Sequence, residues 1–155
     1  MFDLGTSFLA SVERDPGALA LVDGDLRLTY AQWLERISSL VAAFDALGLK
    51  HGDHLATVLQ NRWEMATLHW ACQFAGIVMT PLNWRAKPEE IDHCLVDAGA
   101  KALVWEPVAD AAVAASAAAD RVLRIGVGEV HGATLRFEQW MGDAVEPVPQ
   151  AEASD

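Results

Sequence analysis

The sequence is 155 residues long, 52% apolar and 21% charged, with a formal net charge of −11. That length suits one ordinary domain able to bury about 70% of its unfolded surface, and the composition is that of a globular chain, not a disordered one. The acidic balance speaks against a general nucleic-acid or anionic-membrane surface, since both need clustered Lys and Arg.

The first residues, MFDLGTSFLASVERD, lack a basic segment followed by a long apolar core, so no signal peptide is expected and the default location is cytoplasmic. Thr6 or Ser7 is placed to cap a short helix that Asp15-Pro16-Gly17 ends. Ala18 to Val22 reads as a strand, Asp23-Gly24-Asp25 as a turn, and Leu26 to Leu28 as the return of a hairpin.

The next helix carries the clearest signals. Thr29-x-x-Gln32 fits a capping box, with Leu28 and Trp33 at the flanking staple positions. Trp33, Ile37, Leu40, Phe44 and Leu47 alternate at steps of four and three and form one apolar stripe. Gly48 stands where a left-handed C-terminal cap belongs. An aromatic stripe at this spacing is core.

Gly52-Asp53 leads into a strand over His54 to Leu59, and Asn61-x-x-Glu64 repeats the capping pattern for a helix to Ala75. Val78 to Leu82 is the next strand. Met65 to Leu82 contains no charged residue, a run about as long as a membrane span. His69, Gln73 and Gly76 interrupt it, however, and an amphipathic helix feeding a parallel strand buried on both faces explains it better. Pro88 opens another helix with Glu89 and Glu90 at its positive end, Gly99 closes it, and Lys101 to Trp105 is a further strand. The alternation predicts an α/β fold with a mainly parallel sheet and crossover helices.

After Pro107 the signals thin. Asp110 to Asp120 is Ala-rich and reads as a solvent-facing helix, Arg121 to Val127 as a strand, and Leu135 to Met141 as a short helix. Residues 146–155 have linker composition.

Most chemical candidates are better explained structurally. The cluster Gly126 to Gly132 lacks the Lys and Ser/Thr of a phosphate loop. His51 and His54 have no further ligands to complete a metal site. His69 and Cys72 share a helix at core spacing, and Cys72 and Cys94 read as free thiols of a reducing compartment. Asn83-Trp84-Arg85 is the cluster that stands out, because it follows the carboxyl end of a parallel strand, where open α/β sheets bind ligands. Arg85 suits a phosphate or carboxylate, and Trp84 an apolar channel. The structural alternative is a turn in which Asn83 bonds backbone and Arg85 pairs with Glu89 or Glu90.

The stretch FAGIVMTPLNWRAKPEEIDHCLVDAGAKALV resembles the early region of the adenylate-forming superfamily. The matching pieces are Ala75-Gly76, Pro81-Leu82-Asn83, Glu89-Glu90-Ile91 and Asp97 to Val104. Leu28-Thr29-Tyr30 and Leu47 to Asp53 agree in order upstream, so the likeness covers roughly the first two-thirds of the chain. The Pro-Leu-Asn-Trp-Arg form is most similar to acid–CoA ligases that form AMP. This resemblance implies a carboxylate activated by ATP to an acyl-adenylate and then captured by CoA, with Mg assisting.

In that superfamily the reacting groups lie downstream of the region matched here. The resemblance therefore implies that residues 1–145 are an incomplete N-terminal subdomain and 146–155 a linker or truncated end. The chain alone is expected to have no catalytic residue, metal or cofactor; ATP, Mg and CoA belong to the intact enzyme. Its expected partner is the remainder of that enzyme, and self-association of the exposed sheet is anticipated. The alternative is a self-contained α/β binding or interaction module without catalysis.

Overall fold

The computed structural model describes residues 3–141. Five strands form an entirely parallel sheet: β3 (His54–Val58), β4 (Val78–Leu82), β5 (Ala102–Trp105), β6 (Leu123–Gly126) and β7 (Leu135–Arg136). Their spatial order is β4-β3-β5-β6-β7. A separate antiparallel hairpin joins β1 (Leu19–Asp23) to β2 (Leu26–Thr29).

Each face of the sheet is covered by helices. On one face, α1 (Leu4–Arg14), α2 (Tyr30–Ala46) and α3 (Trp63–Ala75) pack over Leu55, Ala102, Val104 and Ile125. On the other, α4 (Pro88–Asp97) and α5 (Asp110–Ala114) cover Ala56, Val58, Leu103 and Trp105. The central strand β5 is buried at every residue, as a parallel strand sandwiched between helices must be.

Local signals hold closely in the middle of the chain. Thr29 and Gln32 form the reciprocal capping box, a feature contributing about 1 kcal/mol, and Leu28 and Trp33 are both buried beside it. Pro88 occupies the first turn of α4, and Gly76 ends α3 at a φ of 68°. Both cysteines are free, Cys72 in α3 and Cys94 in α4.

Several boundaries differ from the sequence reading. The cap of α1 is Asp3, whose carboxylate accepts from the Thr6 amide, and neither Thr6 nor Ser7 plays that part. The first amide of α3, that of Trp63, donates to Asp23 of the hairpin at 2.8 Å, so a residue distant in sequence replaces the expected Asn61 cap. The Ala-rich stretch does not form one solvent-facing helix. It breaks into a 3-10 turn (Pro107–Ala109), α5, and a second 3-10 turn (Ala119–Arg121). Val113, Ser116, Ala118 and Ala119 are buried there, because alanine lets the segment lie close against α4.

The helix expected over Leu135 to Met141 gives its first two residues to β7, leaving α6 (Phe137–Trp140). The linker expected at 146–155 lies outside the described residues. Among those described, no helix is long and apolar enough to cross a membrane.

Candidate functional site

The chain runs from β3 outward to β4 and then crosses to β5 on the other side of β3. The crevice where an open sheet binds ligands therefore falls between the carboxyl ends of β3 and β5. Arg62 and Glu106 meet there. The Arg62 Nη1 donates to Glu106 at 2.8 Å, and its Nε and Nη2 fork onto the two oxygens of Glu64 at 3.0 and 3.1 Å. Gln60 also donates to Glu106.

Arg62 reaches both partners because it caps α3 in extended backbone, φ −134° and ψ 167°, which turns its side chain back over the helix start. Glu106 is 1% exposed and Glu64 4%, so the carboxylates of this cluster are internal while Arg62 reaches them from the surface. Burial pushes the Glu64 carboxyl above its ordinary value, opposed in part by Arg62. Burial also works against the Arg62 charge, but the bonds to Glu106 and Glu64 outweigh it and raise the guanidinium's pKa.

Beside this cluster the rim continues through Trp105. Its indole donates to Asp110 at 2.9 Å, and the second Asp110 oxygen lies 2.5 Å from Nδ1 of the exposed His131. Burial pushes the Asp110 carboxyl up, but the bonds from Trp105 and His131 dominate and hold it below its ordinary value.

Asn83, Trp84 and Arg85 lie on the turn after edge strand β4, one strand away from the switch point. The Asn83 side chain accepts from the Arg85 amide at 2.9 Å, and its carbonyl accepts from Ala86 at 2.8 Å. The Arg85 guanidinium sits 4.2 Å from the centre of the Trp84 ring. Glu90 instead accepts from the Lys87 amide, so the expected ion pair is replaced by a cation–π stack.

One other candidate resolves structurally. Cys72 is fully buried and its thiol pKa is pushed up to about 12 by burial, which makes it inert. Among the described residues no group of three His, Cys, Asp or Glu is arranged to hold a metal ion.

The sequence profile of AMP-binding enzymes matches residues 8–154. The chain belongs to the AMP-binding enzyme family. Among curated AMP-binding relatives, a feruloyl-CoA synthase of Amycolatopsis sp is 35% identical over 130 residues, covering 84% of this chain and 26% of that protein. A 2-succinylbenzoate–CoA ligase of Oceanobacillus iheyensis is 30% identical over 95 residues, covering 61% and 20%. The chain thus spans about a quarter or less of the length of these relatives.

Among solved structures, a benzoate CoA ligase from Burkholderia xenovorans superposes over 100% of this chain and 31% of its own, with a TM-score of 0.83 at 20% identity. The N-terminal domain of FACL13 from Mycobacterium tuberculosis superposes over 100% of this chain and 39% of its own, with a TM-score of 0.81 at 23% identity. These likenesses establish the fold.

Two carboxylates engage the Nε, Nη1 and Nη2 atoms of the Arg62 guanidinium with one hydrogen bond each. Sequence reading passed over Arg62 and Glu106. The available signal was a glutamate directly after four wholly apolar strand residues, Ala102 to Trp105.

Proposed function

We propose that this chain is the N-terminal part of an AMP-forming acid–CoA ligase acting on an aromatic or fatty acid. The observation that supports this most is the 35% identity with a feruloyl-CoA synthase across 84% of the chain. In this reading residues 1–145 form an incomplete subdomain of a larger cytoplasmic enzyme, and residues 146–155 lead toward the rest of it. The intact enzyme joins a carboxylate to ATP with Mg and passes the acyl group to CoA.

This portion serves as scaffold and performs no ligation by itself. The Arg62 cluster supports that assignment, since it ties the ends of β3 and β5 together and commits the guanidinium to two carboxylates. The Trp84–Arg85 stack, with Arg85 exposed and Trp84 half-buried, is the part of the rim proposed to border the substrate channel.

The test is to express the whole reading frame and this chain in parallel, and to measure pyrophosphate release with ferulate, benzoate and palmitate. Acid-dependent release by the long protein alone is the expected result. Ligation by the 155-residue chain, or a reading frame that stops at Asp155, overturns the proposal. Saturable binding of a ligand by the short chain would then favour a free-standing module.

A further inference from the structure

Residues 127–134 connect β6 to β7 and fold back over the carboxyl end of β6. Val130 and Ala133 pack against the core beneath α4 and α5, and both lie on Gly126, where a Cβ would overlap Val130. Gly126 is in turn the register partner of the buried Trp105 on β5. Gly128 and Gly132 bracket the covering residues with left-handed backbone, φ 72° and 76°, and give the segment a flexible point at each end.

A single side chain pins the middle of this segment. Asp110, the first residue of α5, accepts from the His131 amide with both oxygens, at 3.0 and 3.1 Å, and stands 2.5 Å from Nδ1 of the ring. The same carboxylate accepts from the Trp105 indole. The His131 side chain is 94% exposed, and among the described residues Asp110 is the polar partner of its ring.

The charges of the surrounding elements are engaged elsewhere. Arg124 of β6 pairs with Asp120 of the second 3-10 turn, and Glu129 of the loop with Arg136 of β7. Glu138 of α6 accepts from the Gly128 amide. Asp92 of α4 is turned to Ser116, within the field of Arg121. Glu106, after β5, is held by Arg62 and Gln60.

We propose that residues 128–132 form a strap over the carboxyl ends of β5 and β6, latched to Asp110 with a strength set by the proton on His131. A protonated imidazole makes a charge-assisted bond to a carboxylate, about twice as strong as a neutral one. Imidazoles change charge between about pH 5 and 8, so the strap is tight at the acid end and looser at the alkaline end. Although burial works against its charge, bonds from Trp105 and His131 keep the Asp110 carboxyl below its ordinary value, and it stays ionised across that range. A neutral ring still carries one N–H, and the backbone bond remains, so the strap loosens without being released. The latch belongs to this chain and holds whether or not the ligase reading stands.

The test is hydrogen exchange of the full 155-residue chain, read by mass spectrometry on peptides covering residues 127–134 and corrected for the intrinsic effect of pH. Opening of the strap is expected to rise about fivefold from about pH 5.5 to about pH 8.5, as suits a pair at the surface. A peptide covering β5 is expected to stay constant. His131→Gln should show no such pH dependence and exchange at the looser level throughout. Asp110→Asn, which keeps an oxygen for the Trp105 indole, should do the same.

A wild-type strap whose opening does not change with pH overturns the proposal. So does a pH dependence that survives His131→Gln, because another group then titrates. An equal change in the β5 peptide also overturns it, since the whole fold then loosens. His131 is exposed, so its variant decides the matter even if Asp110→Asn fails to fold.

Discussion

Arg62 and Glu106 stand 2.8 Å apart and join the carboxyl ends of two adjacent parallel strands at the place where the chain reverses its direction across the sheet. The pair is nearly dry on one side, with Glu106 1% exposed against 33% for the Arg62 side chain. Removing the guanidinium strands two buried carboxylates, so Arg62→Ala should destabilise the fold by about 3 kcal/mol. Arg62→Lys should recover little, because the fork onto Glu64 needs guanidinium geometry. Urea denaturation of both variants checks this, and a loss below about 1 kcal/mol for Arg62→Ala would show that the cluster is not a structural tie.

Gly76 and Gly48 both have left-handed backbone, φ 68° and 77°, but their surroundings differ. A Cβ at 76 would collide with the His51 ring, whereas one at 48 meets open space. Gly48→Ala should cost only the backbone term, about 1–2 kcal/mol, and Gly76→Ala should cost more. Combining Gly76→Ala with His51→Ala should remove that extra cost. Thermal melts of the four proteins decide it: equal losses at 48 and 76 would refute the clash.

The Asp92 carboxyl is held below its ordinary value, first by the Ser116 hydroxyl at 2.6 Å and then by the Ala118 amide at 2.9 Å. A depressed folded value means that its stabilisation is present above the unfolded pKa and is lost as pH falls through the folded one. Asp92→Asn should lower the melting temperature at pH 7, with the gap to wild type narrowing below pH 3.8. A gap that stays constant with pH would mean that shape, not charge, is what matters there.

Arg85 is exposed and Trp84 half-buried in their stack, and the Asn83 side chain holds the turn that carries them. In the full-length ligase proposed above, Arg85→Ala should raise the KM for the acid about tenfold, which is ~1.4 kcal/mol of binding, while leaving the melting temperature unchanged. An unchanged KM would confine this turn to a structural role.

The 155-residue chain leaves Val22 51% and Val78 45% exposed and should self-associate through these side chains. Sedimentation at rising concentration is expected to give a growing average mass. Val78→Lys should reduce it. A cleanly monomeric chain throughout would contradict this.

Much of the fold was legible because its signals are local. The capping box at Thr29 and Gln32, the proline opening α4 and the glycine closing α3 each act within one helical turn. Two of the misplacements involve partners distant in sequence. Asp23 caps a helix forty residues later in the chain, and α4 buries the Ala-rich segment that propensity alone would leave in water. The turn at Asn83 was recognisable for the same local reason, since its side chain bonds an amide two residues on.

By itself the sequence determined the parallel α/β alternation, the apolar stripes and the likeness to adenylate-forming enzymes, because helix and strand periodicities are written into residue spacing. Only the tertiary structure decided strand order, and with it the location of the switch point. That order brings Arg62 and Glu106 together across 44 residues of chain and leaves β4 at the edge with Pro81 facing outward. Such pairings depend on which strand lies beside which, and no periodicity along a single chain encodes that adjacency.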